Sequence, residues 1–204
     1  QRKTNMIGFV ASNLNNLMAS QLLVALEREA SANGLLLVVS SSSNSPSVEA
    51  LQIKRMVAQG VDGIFIFPVR GDANQELLQE TLADDLPVVQ VGERLDDVSA
   101  DFVGVDYLAG MHVLIRYLMR KKYKTLAFIG EGAISQIGEA QVKAMPDVAR
   151  LHTSISLCGV KVGGRSAEFG RQSLRQLLTQ EQRPEAVICG NDLIASGCVQ
   201  TLKE

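Results

Sequence analysis

Short apolar runs alternate along the chain with stretches whose apolar residues recur every three or four positions. The run "MIGFVA" (Met6–Ala11) predicts a buried strand. The stretch "MASQLLVALEREASANG" after it predicts a helix, with Leu22, Leu26 and Ala30 on one face and Gly34 as its stop. The same alternation continues with a strand at Leu35–Ser40, a helix at Ser47–Gln59 closed by Gly60, and a strand at Val61–Pro68. A helix at Asn74–Ala83 and a strand at Pro87–Gly92 follow. Each strand is almost uninterrupted in apolar residues. Such strands are covered on both faces, which is the condition of a parallel sheet with helices above and below.

A polar stretch, "ERLDDVSAD" (Glu93–Asp101), interrupts the rhythm before a short strand at Phe102–Asp106. A second series then predicts helices over 108–121, 166–179 and 192–203 and strands over 125–130, 154–159 and 185–190. Two such series predict two doubly wound parallel-sheet lobes, residues 1–106 and 107–204, rather than one sheet. The segment "GEGAISQIGEAQVKAMPDVARLHTS" looks thin for a lobe of this kind. It predicts only a short helix over 138–145, ended by Pro146, and residues lacking around it. A sheet that ended at helix 192–203 would leave the second lobe incomplete at its C-terminus, with an uncovered edge.

Composition narrows the function classes. The chain has 204 residues, 46% of them hydrophobic and 21% charged, an ordinary globular balance. The net charge of −2 offers no basic face for a phosphate backbone. No apolar run approaches the length of a membrane span, so no membrane partner is expected. The opening "QRKTNMIGFV" reads as a cut end. Three cysteines, Cys158, Cys189 and Cys198, are odd in number. Two of them lie in apolar segments, which fits free thiols in a reducing, cytoplasmic setting better than a disulfide framework.

Enzyme motifs are weak. "GEG" (Gly130–Gly132) follows a strand as a dinucleotide loop would, but Ser135 stands where the third glycine belongs. Neither a P-loop nor a GxSxG elbow occurs. His112 and His152 have no neighbours at metal-ligand spacing, and the cysteines form no CxxC. We therefore expect no catalytic residues, no metal and no cofactor. The predicted strand ends are richer: "SNLNNLM" (Ser12–Met18), "SSSSNS" (Ser40–Ser45), "PVRGD" (Pro68–Asp72), "GERLD" (Gly92–Asp96) and "GND" (Gly190–Asp192). In open parallel sheets ligands bind beyond these ends, where helix N-termini expose N–H groups. Asp192 is expected to cap the last helix and leave Asn191 to a ligand. Asn13, Asn15 and Asn16 cannot all cap one helix, and Asn16 is balanced between cap and contact. The Glu93–Arg94 pair could bracket adjacent hydroxyls or a carboxylate.

Five stretches in order carry a resemblance: "NMIGFVASNLNNLMASQLLVALEREASANGLLLVV", "QGVDGIFIFP", "LPVVQVGER", "FVGVDYLAGMHVLIRYLMRKKYKTLAFIG" and "PEAVICGNDLIASGCVQTLKE". Over nearly its whole length the chain resembles the effector-binding core of the lactose-repressor/galactose-repressor (LacI/GalR) family of bacterial regulators. That core is itself similar to periplasmic sugar-binding proteins. The resemblance implies two lobes of the type I periplasmic-binding-protein-like α/β fold that close on a small molecule. It places Asn16, Met18, Glu93, Arg94 and Asn191 at ligand-binding positions. The chain departs from the family at Asn16–Ala19, where many members carry "NPFF", and at Glu93, where an Asp is common. The family's pocket Arg after the "FIG" strand has no counterpart.

The resemblance further implies a cytoplasmic homodimer whose small-molecule effector is a sugar or nucleoside-like compound. Operator DNA would be bound by a helix-turn-helix headpiece that this chain does not include. The alternative is a periplasmic sugar-binding protein of a transport system.

Overall fold

The structure, a computed structural model, describes residues 3–69, 71, 73–95, 97–132, 136–151 and 154–204. Two compact units divide the chain, the first ending at Val105 and the second beginning at Asp106. In the first, strands β1 (Met6–Ala11), β2 (Leu36–Ser41), β3 (Gly63–Phe67), β4 (Val88–Val91) and β5 (Asp101–Val103) alternate with helices α1 (Leu17–Ala32), α2 (Pro46–Ala58) and α3 (Gln75–Ala83). Among the described residues these strands form a parallel sheet in the order β2-β1-β3-β4-β5.

The two-residue period of a strand explains the two cores of this unit. Val10, Ile64, Ile66 and Val88 project to one face, where they pack with Ile53 and Met56 of α2 and Leu78 of α3. Phe9, Ala11 and Phe67 project to the other face against Met18, Leu22 and Leu26 of α1. Successive residues of one strand therefore bind opposite helix layers, and the apolar run needs no polar interruption.

The second unit repeats the scheme. Its elements are α4 (Tyr107–Arg120), β6 (Thr125–Gly130), α5 (Gln136–Leu151), β7 (Ser156–Val162), α6 (Ala167–Leu178), β8 (Ala186–Cys189) and α7 (Asp192–Thr201). The parallel sheet among the described residues runs β7-β6-β8. Leu126 and Phe128 face Met111, Ile115 and Leu118 of α4 and Met145 of α5. Ala127 and Ile129 face Leu174 and Leu177 of α6 and Ile194 and Cys198 of α7.

The helix expected to end at Pro146 does not end there: α5 is a 16-residue helix that continues through position 146, and residues 133–135, 152 and 153 of the same segment lie outside the described residues. A proline inside a helix removes one backbone bond. Burial of Ala144 and Met145, with Val142 packed beside them, offsets that loss because it ties the helix to the sheet. His152 and Ser135 lie outside the described residues.

α6 and α7 approach at two glycines. A Cβ on Gly170 would run into the Ile194 carbonyl, and one on Gly197 into the Ala167 carbonyl. Both obstacles are backbone, which cannot swing aside. Helix propensity alone favours Gly→Ala by about 1 kcal/mol, but the contact reverses the sign. Gly197→Ala is expected to destabilise the protein by about 1–3 kcal/mol, read as a lower urea midpoint at unchanged slope.

Candidate functional site

In both units the described polar side chains of interest gather where the strands end and the next helices begin. In unit 1, α1 starts at Asn16, whose Oδ1 accepts the Met18 N–H at 2.9 Å, so Asn16 is the cap of this helix. Asn13 Oδ1 accepts the Asn15 N–H at 2.9 Å. Two of the three asparagines thus hold the turn itself. Met18 is half-buried against the Phe9, Ala11 and Phe67 layer. The serine-rich loop is pinned to β1: Ser42 is fully buried and its N–H donates to the Ala11 carbonyl, while the Asn44 N–H donates to that of Ser12.

The loop after β4 is less polar in structure than in sequence. Gln90, fully buried, accepts the Leu95 N–H on Oε1 at 2.7 Å and donates from Nε2 to the Val98 carbonyl at 3.4 Å. Leu95 and Val98 are buried as anchors. This fold-back sends the two neighbouring candidates to different surroundings. Glu93 is buried, whereas Arg94 is exposed with its guanidinium 5.8 Å from the centre of the Phe102 ring. Gly92 precedes them at φ +77, where a Cβ would strike the Phe67 ring, so glycine is required at that turn.

Glu49 was not visible in the sequence as a strand-end residue. It sits in the first turn of α2, fully buried. Oε2 accepts the Val69 N–H at 2.6 Å, and Oε1 accepts Asn74 Nδ2 at 2.8 Å. Asn74 Nδ2 also donates to the Pro46 carbonyl at 2.9 Å, and Asn74 makes no side-chain bond to its own helix. The carboxylate therefore braces the connection from β3 to α3. Burial pushes its pKa above the ordinary 4.5, against the opposing pull of the Asn74 and Val69 bonds.

In unit 2 a tighter constellation appears. Glu131 follows β6 directly and is 4% exposed. Arg165, just before α6 and 39% exposed, donates from Nε at 2.7 Å and from Nη2 at 2.6 Å to Glu131 Oε2. Asn191, just before α7, donates from Nδ2 to Glu131 Oε1 at 2.5 Å. The same Asn191 caps α7, because its Oδ1 accepts the Ile194 N–H at 3.0 Å. This corrects the expected division of labour. Asn191 is the cap and Asp192 the first helical residue, since Asn191 holds the last extended backbone and its oxygen reaches the third helical N–H. Asn191 is thus engaged at both ends of its amide.

Three side chains, one from each connection after β6, β7 and β8, converge at the strand-end edge of the unit-2 sheet. Glu131 presents a carboxylate, Arg165 a half-exposed guanidinium, and Asn191 a fixed amide. Glu131 is buried and the Asn191 amide is engaged at both ends, so the half-exposed Arg165 guanidinium is the group that this arrangement presents to the hydroxyl or carbonyl oxygens of a ligand. Glu131 and Arg165 escaped the sequence reading. Glu131 had a signal in "GEG", a charged residue directly after an apolar strand. Arg165 had only "GGRS" ahead of a helix. Among the described residues no cluster of three metal-binding side chains occurs, and no helix is long and apolar enough to cross a membrane.

A family model described as "Periplasmic binding protein domain" matches residues 7–204. The "HTH-type transcriptional repressor PurR" of Klebsiella pneumoniae is 23% identical over 201 residues, covering 96% of this chain and 58% of the repressor. "Catabolite control protein A" of Staphylococcus epidermidis is 26% identical over 211 residues, covering 100% of this chain and 61% of that protein. The chain thus spans about three fifths of the length of these relatives. A solved periplasmic solute-binding protein of an ABC transporter from Actinobacillus succinogenes, with bound D-allose, superposes with a TM-score of 0.86. It is 19% identical and covers 97% of this chain and 73% of its own.

Glu49 also predicts a pH dependence. A carboxyl raised on folding contributes stability that is complete below its unfolded value of 4.5 and lost as pH rises through the raised folded value. Glu49→Gln should flatten this decline above pH 4.5. It should also lower stability near pH 5 by about 1–3 kcal/mol, because an amide cannot accept both bonds. Urea melts of both proteins across that range measure the two effects.

Proposed function

Since the chain belongs to the periplasmic binding protein domain family, we propose that it is the effector-binding core of a LacI-type transcription regulator that recognises a small polar ligand, a sugar or nucleoside-like molecule. The observation that carries the ligand part is the convergence of Arg165, Glu131 and Asn191 on the strand-end face of unit 2. Glu131 orients both partners. Arg165 stays half-exposed, and the ligand completes hydrogen bonds that water otherwise makes to its guanidinium. On the strand-end face of unit 1, Asn16, Met18, Glu93 and Arg94 serve the same class of ligand, Arg94 held in place by the Phe102 ring.

The names of the curated relatives favour regulation over transport: a repressor and a catabolite control protein align over almost all of this chain. In this reading the ligand binds one of two conformations better and so shifts their balance, and operator DNA senses the shift through a helix-turn-helix segment outside these residues. The working form is a cytoplasmic homodimer, because a two-fold protein matches a two-fold operator. The chain performs no catalysis. The transport alternative keeps the same ligand class and strand-end residues and differs in partner. Affinity of the full-length protein for DNA that changes with the ligand supports regulation, and its absence, together with a leader sequence at the gene's start, supports transport.

A thermal-shift screen over sugars, sugar phosphates and nucleosides should yield a stabilising ligand. Arg165→Ala should weaken the calorimetric affinity for that ligand by about 1–3 kcal/mol, with Arg94→Ala losing a comparable amount. Unchanged affinity in both variants would remove these positions from the site. Sedimentation of the full-length protein should give twice the chain mass.

A further inference from the structure

Unit 2 carries two thiols in contact. Cys189 ends β8 and Cys198 lies in the second half of α7. The Cys189 thiol donates to Cys198 Sγ at an S–S separation of 3.7 Å. All three cysteines of the chain are free. We propose that Cys189 and Cys198 form a reversible dithiol–disulfide pair, a redox modification site that staples the end of β8 to α7 on exposure to a peroxide.

Three observations support the pairing. First, a disulfide bond is about 2.05 Å long, so the sulfurs must close by roughly 1.6 Å, which a side-chain torsion can supply. Second, α7 cannot drift away to escape the contact, because Gly197 and Gly170 lock it against α6 backbone, and the Gly170 carbonyl also accepts from Cys198 Sγ at 3.5 Å. Third, the remaining cysteine is out of range. Cys158 lies on β7, its thiol donating to the Leu126 carbonyl at 3.1 Å, and β6 stands between β7 and β8. Two strand spacings separate it from Cys189 by at least about 9 Å.

The chemistry assigns different roles to the two sulfurs. The hydrogen bond from Cys189 holds the Cys198 thiol below its usual pKa, whereas Cys189, as donor and half-buried, is pushed up. The Cys198 thiolate attacks one oxygen of hydrogen peroxide. The O–O bond breaks, the departing hydroxide takes a proton to become water, and Cys198 is left as the sulfenic acid. The Cys189 sulfur then attacks Cys198 Sγ. The S–O bond breaks, and the leaving hydroxide takes the Cys189 proton as a second water. One peroxide is reduced, two thiols are oxidised, and a thiol reductant restores them. The closed ring contains Asn191, the cap of α7 and the partner of Glu131. Oxidation therefore reduces the freedom of that turn.

The test treats the reduced protein with hydrogen peroxide, alkylates the remaining thiols, and maps the peptides by mass. The expected product is two hydrogens lighter, joins the Cys189 and Cys198 peptides, keeps Cys158 alkylatable, and returns to the starting mass with dithiothreitol. Cys158→Ser should retain the crosslink, and Cys189→Ser and Cys198→Ser should lose it. Should either serine variant fail to fold, the wild-type and Cys158→Ser maps decide alone. Three alkylatable thiols after peroxide, a crosslink through Cys158, or sulfinic acid on Cys198 without a crosslink would each overturn the proposal. Slower amide exchange at Ile194 in the crosslinked protein is the expected sign of the staple, and unchanged exchange would refute it.

Discussion

The fold of each unit depends on one constraint: parallel strands that are apolar on both faces must be covered on both faces. The covering helices have to connect successive strands, because a parallel partner can be reached only by a crossover. Every strand then ends at the same edge of its sheet, and every following helix begins there. This places unpaired helix N–H groups, and the side chains that satisfy them, on one face of the unit. Asn16, Ser45, Asn191 and Ser166 cap their helices for that reason.

Capping also fixes polar side chains at that face. A side chain that holds a helix start has a fixed position, and a fixed polar group is a good starting point for recognising a ligand. Asn191 illustrates the link: its oxygen holds α7 while its nitrogen holds Glu131, and Glu131 in turn holds Arg165. Glu49 plays the corresponding bracing part in unit 1, where it joins α2 to the connection between β3 and α3. Glu49 and Glu131, both buried, each tie together connections that are far apart in the sequence. Burying a carboxylate is costly unless its oxygens are satisfied, so the donors around it are as much a part of the design as the acid.

Glycine positions show a second way in which packing overrules local preference. Gly170 and Gly197 lie inside helices, where glycine weakens the backbone, yet they are what allows α6 and α7 to touch. That close approach in turn fixes Cys198 beside Cys189. A local weakness is thus exchanged for a tight helix pair whose geometry brings two thiols together.

The apolar runs and helical periods of this sequence determined the α/β class, the parallel sheets and the positions of nearly every strand, because burial on both faces leaves a mark at every position of a run. They also marked the strand ends as the polar edge of each sheet. Only the tertiary structure decided which residues meet there. Glu49, Glu131 and Arg165 converge on partners about 20 to 60 positions away, and no periodicity records such a distance. The same holds for α5, which local rules ended at Pro146. Burial of Ala144 and Met145 against the sheet carried it on to Leu151. It holds as well for Asn191, whose capping role depended on the residue at which the extended backbone turned helical. Local propensity contributes fractions of a kilocalorie per residue, whereas a buried side chain contributes several times more. Burial is a property of the assembled unit.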